Sequence, residues 1–266
     1  MKASSRLYSR VMRAGAITAL VAMTGVVPLA QGAGASTLTY SGSGYDASYP
    51  QGNFTPPSGM SFAIIGVTHG RPFTTNQYAA QQWTNAGTIS KSLYFNTGYA
   101  LAYAKSDTTK CKTGSSTYTP IGASGHTLSA LQAAWAIGCS EADYAVSNEP
   151  SSPAMWWADV ETGNSWSNDT ALNRATITGM VTELGKNSAS SGIPVGIYST
   201  PSMWVSITGS NFEVSGVSGD WQAGIPACPS AGFTQTNLGT TAPVLIVQNG
   251  TTTSGKTTYD TDLGCQ

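Results

Sequence analysis

The chain has 266 residues, 12 basic and 13 acidic, with a formal charge of −1 and only 9% charged side chains. Four of the basic residues (Lys2, Arg6, Arg10 and Arg13) and none of the acidic ones lie before Ser36, so the remainder carries a net charge of −5. No basic patch is left to neutralise phosphates, which argues against nucleic acid as a partner; a surface made polar by Ser, Thr, Gly and Asn suits uncharged, carbohydrate-like material.

The first segment is basic, then apolar from Ala14 to Ala30, then small at Ala33-Gly34-Ala35. That is the order of a cleavable secretory signal. The apolar stretch is near the lower end of membrane-spanning length and is interrupted by Gly and Pro. We therefore expect residues 1–35 to be removed and residues 36–266 to form one secreted, extracellular domain. After cleavage it should have no membrane contact, since no later stretch approaches a span. Its length is one that α/β barrels use as a single domain.

Gly44–Ser48 reads as a first strand and Phe62–Val67 as a short buried one. Asn76–Ala86 has helical spacing with Gly87 as a stop, and Leu93–Thr97 is a third strand. Residues 105–126 are polar and Gly-rich, a long loop pinned by Cys111. Leu128–Ile137 is helical, Met155–Val160 a strand, Asp169–Ser190 a strong helix and Pro194–Tyr198 another strand. Beyond about residue 208 the helical signal fades, leaving the apolar runs Trp221–Ile225 and Val244–Val247. This βαβα order implies a parallel sheet with covering helices. The predicted fold is α/β: an irregular (β/α) TIM-like barrel with helices missing from the last strands. There is no internal repeat and no linker.

Four cysteines in an exported chain imply two disulfides. Three pairings are possible; Cys111–Cys139 with Cys228–Cys265 is favoured because each then closes a local loop. The wide spacings, and two histidines (His69 and His126) without a ligand pattern around them, argue against a metal site. No cofactor is implied.

The sharpest chemical feature is Met155-Trp-Trp-Ala-Asp-Val-Glu161. Asp159 and Glu161 lie two apart at the end of a strand, so both side chains face the same side. Strand C-termini face the active-site mouth of a barrel. Two carboxylates there can protonate a leaving oxygen and stabilise developing positive charge, as glycoside hydrolysis requires. Trp156, Trp157 and Trp166 are close in sequence and offer faces for sugar rings. Asp46 closes the first strand, and Asp260 in Tyr259-Asp260-Thr-Asp262 would join it at the same mouth if the barrel closes. Such residues also occur as plain turn formers and strand-end caps.

Together these segments resemble the family-25 glycoside hydrolases, the Chalaropsis-type lysozymes or N-acetylmuramidases, as a divergent member. Asp46-Ala-Ser48-Tyr-Pro-Gln51-Gly52 is similar to that family's D-x-S-x-x-Q-G opening. Phe62-Ala-Ile-Ile-Gly-Val-Thr68-His69-Gly70, followed by Asn76, is similar to its F-x-I-x-K-A-T-E-G…N segment. Asp159-Val160-Glu161 matches its D-x-E strand and Gly192–Ser199 its G-x-x-x-x-I-Y-S strand. Gln248 with Asp260 is similar to its closing W-Q…D element. The resemblance spans residues 44–262. It implies an irregular barrel that cleaves the β-1,4 bond after N-acetylmuramic acid in peptidoglycan, with cell-wall polysaccharide as its partner. Glu161 would be the general acid and Asp159 would orient the substrate's N-acetyl group during substrate-assisted attack. Asp46 and Asp260 would line the pocket with Tyr94, Trp157, Tyr198 and Gln248.

The departures are local. His69 stands where the family has Glu, and can hydrogen-bond a sugar or cap a strand. Tyr94-Phe95-Asn96 stands for Tyr-His-Phe, so Phe95 and Asn96 can remodel the subsite floor, and Val247 replaces a Trp. These changes leave two further readings open: hydrolysis of another N-acetylated glycan, or a glycan-binding wall protein with weak or lost turnover. No G-x-S-x-G nucleophile elbow is present to support a serine hydrolase.

Overall fold

The computed structural model describes residues 40–111, 127–229, 238 and 240–266. The expected signal at residues 1–35 and most of the loop expected at 105–126 lie outside the described residues, as does His126. In chain order the elements are β1 (Ser41–Ala47), β2 (Phe62–Gly66), α1 (Ala79–Asn85), β3 (Ser90–Asn96), α2 (Leu128–Ser147), β4 (Trp156–Asp159), α3 (Thr170–Ser191), β5 (Val195–Ser199), α4 (Pro201–Thr208), β6 (Gly219–Ala223), β7 (Val244–Ser254) and β8 (Thr257–Cys265). The eight strands close into a barrel in sequence order. Strands β1 to β7 run parallel to one another; β8 runs antiparallel to both β7 and β1. Among the described residues no helix is long and apolar enough to cross a membrane.

Alternation along the strands sorts side chains into two cores. Inside the barrel lie Tyr40, Phe62, Ile64, Met155, Trp157, Tyr198, Trp221, Leu245 and Ile246. Outside, Tyr45, Ile65, Leu93, Phe95, Trp156 and Ile197 pack beneath the helices with Ile177, Met180 and Leu184 of α3. The interior is narrow, and its large rings fit only where a neighbouring strand offers glycine. A Cβ on Gly196 would lie 2.3 Å from the Trp157 ring, and one on Gly44 would lie 2.3 Å from Phe62.

Helix α2 runs ten residues beyond the expected end at Ile137, through Gly138. That glycine does not terminate the helix; it admits a second one. A Cβ on Gly138 would sit 1.9 Å from the carbonyl oxygen of Thr176, and one on Gly179 would sit 2.1 Å from that of Trp135, so α2 and α3 cross backbone to backbone. The polar residues that follow are buried but partnered: Ser140 Oγ accepts from the Thr108 N–H at 3.0 Å and Glu141 accepts from the Thr97 hydroxyl at 2.5 Å. Helix α4 was not expected from the sequence, being only eight residues, yet its start is marked: Thr200 caps the Met203 N–H at 3.1 Å and Pro201 opens the first turn.

Two disulfides close the molecule, Cys111–Cys139 and Cys228–Cys265, across 28 and 37 residues of sequence. Loops of that size are worth on the order of 3–4 kcal/mol each. The helix crossing makes a sharper test. Gly138→Ala and Gly179→Ala must each separate the two helices, and thermal or urea unfolding should show a loss of roughly 1–3 kcal/mol or more for each. Gly185→Ala on α3, where a Cβ meets no atom within 4 Å, should cost nothing.

Candidate active site

The mouth of the barrel holds a cavity of about 290 Å³ lined by Asp46, Tyr94, Asp159, Glu161, Tyr198, Trp221, Gln248 and Asp260. Asp159 is the last residue of β4 and Glu161 lies one pleat further on. The turn beyond them is fixed by its own polar groups. The backbone N–H of Asn164 and the indole of Trp166 donate to the Glu161 carbonyl at 3.0 and 2.8 Å, and the Asn164 side-chain amide donates to the Asp159 carbonyl at 3.0 Å. Trp166 thus braces this turn through its ring nitrogen.

Asp159 and Asp46 each have a neutral amide partner of fixed orientation. Thr68 Oγ1 donates to Asn96 Oδ1 at 2.7 Å and accepts from the Asn96 backbone N–H at 3.0 Å, which leaves the Asn96 amide nitrogen to donate to Asp159 Oδ2. Asp159 Oδ1 is buried and has no amide or alcohol donor among the described residues. Tyr198 OH donates to Gln248 Oε1 at 2.8 Å, and Gln248 Nε2 in turn donates to Asp46 Oδ2 at 2.9 Å. Behind the site, the Asn76 amide donates to the Gly66 carbonyl at 2.7 Å and to Gln82 Oε1 at 3.0 Å. Gln82 reaches the Ser48 carbonyl at 2.6 Å, so this buried amide pair ties the loops after β1 and β2 together.

Antiparallel pairing sets Asp46 of β1 directly opposite Asp260 of β8, and Gly44 opposite Asp262. Asp262 is thus one layer deeper, 2% exposed, and accepts from the Trp221 indole at 2.9 Å. Five acidic side chains share this end of the barrel, and among them burial dominates. Burial, then repulsion from Asp260, pushes the Asp46 carboxyl up to about 8, against the donor Gln248. Burial and then the Glu161 charge hold Asp159 well above the carboxylate range. Glu161 is raised chiefly by burial, with Asp260 adding and the Asp159 and Tyr198 side chains opposing. Burial followed by the Glu161 charge keeps the Tyr198 phenol protonated, and hence a donor.

Asp46, Tyr94, Asp159, Glu161, Tyr198, Gln248 and Asp260 all line the cavity, and Asn96 touches it through Asp159. Two of the expected residues lie outside the lining of this cavity. Trp157 is 0% exposed and sits inside the barrel below the cavity, its indole donating to Tyr40 OH at 3.3 Å. The pleat aims it at the barrel axis, with no face left for a sugar. His69 is exposed and stacks on Tyr49 with ring centroids 3.8 Å apart, outside the lining of the carboxylate cavity. Sequence reasoning missed Trp221, the aromatic floor, 4.3 Å from the Tyr198 ring between centroids, and Asp262. The alternation of Asp260 and Asp262 was the available signal for the latter. Among the described residues the one cluster with metal-ligand geometry is Cys111, Cys139 and Glu183, and its two sulfurs are joined in a disulfide.

No protein-family model matches the sequence, and no curated protein does. Solved structures do. The bacterial lysozyme from Streptomyces coelicolor is 19% identical over 86% of this chain and 94% of its own, with a TM-score of 0.54. The muramidase from Trichobolus zukalii is 19% identical over 84% and 92%, at 0.52, and a family-25 lysozyme from Aspergillus fumigatus 14% identical over 85% and 93%, at 0.50. The chain therefore has the irregular barrel fold of the family-25 lysozymes.

The crowded acids make stability fall with rising pH. A carboxyl whose pKa is higher folded than unfolded binds its proton more tightly in the folded state. Its contribution is complete below the unfolded value of about 4 and is lost as pH rises through the folded value, about 8 for Asp46. Melting temperatures should drop from about pH 5 to about pH 8.5, and Asp46→Asn should flatten that slope. A melting temperature that climbs over this range would contradict the proton sharing.

Proposed function

We propose that the protein is a secreted glycoside hydrolase that cleaves the β-1,4 bond after N-acetylmuramic acid in peptidoglycan. The observation that carries this reading is the cavity itself. It gathers Asp159 and Glu161 with Asp46 and Asp260 over an aromatic floor, and burial raises Glu161 so that it can hold a proton to give. The lysozyme fold of the similar structures adds support.

In this reading Glu161 is the general acid, passing its proton to the departing glycosidic oxygen. Asp159, held by Asn96 at one oxygen, accepts the N–H of the 2-acetamido group with the other. It so turns the acetamido oxygen towards the anomeric carbon, where it attacks as the C–O bond breaks. Water then opens the cyclic intermediate, and its proton returns to Glu161. Such substrate assistance departs from the two-carboxylate nucleophile scheme. Asp46 and Asp260 hold sugar hydroxyls at the rim, and Tyr198 and Trp221 offer ring faces beneath.

Glu161→Gln should lower reducing-end release from insoluble peptidoglycan by about a hundredfold or more while leaving binding intact. Release that survives the substitution, or wild-type protein that binds without releasing ends, would overturn the assignment. Chitin oligosaccharides assayed in parallel separate a muramidase from a hydrolase of another N-acetylated glycan.

Export is part of the same proposal, supported by the leader's residue order and by two disulfides, which persist in oxidising compartments. Intact-mass and N-terminal analysis of the protein from the culture medium should find Ser36 as its first residue. Retention of Met1 there would refute cleavage.

A further inference from the structure

Beside the carboxylate cavity, the loop after β2 builds a second groove of about 330 Å³, lined by residues 70–74, Tyr103, Ser106 and residues 163–165. We propose that this groove binds a carboxylate-bearing substituent of the glycan, with Arg71 as its anchoring cation. The inference rests on the glycan-hydrolase reading of the adjoining cavity.

The loop is built rather than slack. The His69 N–H donates to Thr74 Oγ1 at 2.9 Å, and that hydroxyl donates to the Arg71 carbonyl at 2.7 Å, closing the turn on which Arg71 stands. Phe73 takes φ 55°, which a bulky residue rarely adopts. The turn delivers its ring edge-on to Tyr103 at 5.7 Å and to Tyr144 of α2 at 5.9 Å. Thr75, next along the chain, hydrogen-bonds Tyr144 OH at 2.8 Å. A strained residue in a multiply fastened turn points to a preformed surface.

Position and charge indicate the ligand. The far wall of the groove is the segment 163–165, which begins two residues after Glu161, so a group bound there hangs from a sugar near the reacting bond. The cavity proper is crowded with acids and repels an anion. Neighbouring grooves at the mouth, one running from Thr162 to Ile207 and the other from Gly224 to Asp260, hold no basic residue. Arg71 is exposed, and among the described residues no carboxylate pairs with it. In peptidoglycan the lactyl group of N-acetylmuramic acid carries a peptide with free carboxylates. Guanidinium pairs such groups bidentately, and Phe73 and Tyr103 supply an apolar wall.

The test is equilibrium binding of two soluble muramyl tetrasaccharide-peptides, one with free peptide carboxylates and one with those carboxylates amidated, to protein carrying Glu161→Gln so that neither is consumed. We expect the free acid to bind more tightly. Adding Arg71→Ala should weaken the free acid about fivefold and leave the amidated probe unchanged. Arg71→Lys should fall between, and added salt should shrink the preference. An equal affinity for the two probes, or a preference that persists in Arg71→Ala, overturns the inference. Its failure is separable from failure of the hydrolase reading. Equal or absent binding of the two probes with release of reducing ends by the wild-type protein removes the groove alone; absent binding together with no release removes both.

Discussion

Eight strands enclose an interior only wide enough for side chains, and here two tryptophans and a tyrosine meet beneath the cavity. Trp157 and Trp221 meet edge to face with centroids 5.9 Å apart, and Tyr198 tilts against Trp221. These rings set the height of the cavity floor and demand glycine opposite them, as at Gly196. They also make the ground beneath the acids apolar, which is why burial is the first cause of every raised carboxyl in the site. The filled barrel thus creates the cavity and tunes it at once.

No basic side chain lines that cavity, so the acids hold one another's protons. The fixed neutral partners make this tolerable. Asn96 and Gln248 each present an amide nitrogen whose direction is decided one bond earlier, by Thr68 and by Tyr198. An amide donor stabilises a carboxylate without neutralising it, so the proton stays available for transfer. A lysine in either place would have drained the site of its acid and left a simple ion pair. The arrangement costs stability as pH rises, a common exchange between stability and activity.

The main features of the barrel were legible because they rest on period. Alternation placed Asp159 and Glu161 on one side, and the βα order gave the closed sheet. The same alternation, read without depth, put Trp157 at the mouth when it lies a full layer below Asp159. Periodicity tells which side a residue faces; only the closed barrel tells how far down it sits. Helix α2 runs past its expected end at Ile137, through Gly138, for a related reason. The local propensity of that glycine ends a helix, and the tertiary crossing with α3 overrides it. His69 stood in a motif position, but the turn after β2 carries its ring out to Tyr49.

The direction of β8 explains what the motif reading gained and lost at the other end of the chain. In a barrel of eight parallel strands, residues nearer a strand's C-terminus lie nearer the mouth, and Asp262 would stand above Asp260. With β8 reversed, Asp260 comes level with Asp46, and Asp262 descends to the level of Gly44. The residue that a parallel barrel would have exposed is the one that is buried. Its side chain meets the Trp221 indole and ties the aromatic floor to the wall beneath the cavity. A strand that breaks the parallel rule therefore supplies both a rim acid and a foundation from residues two apart, and the second role follows from direction alone.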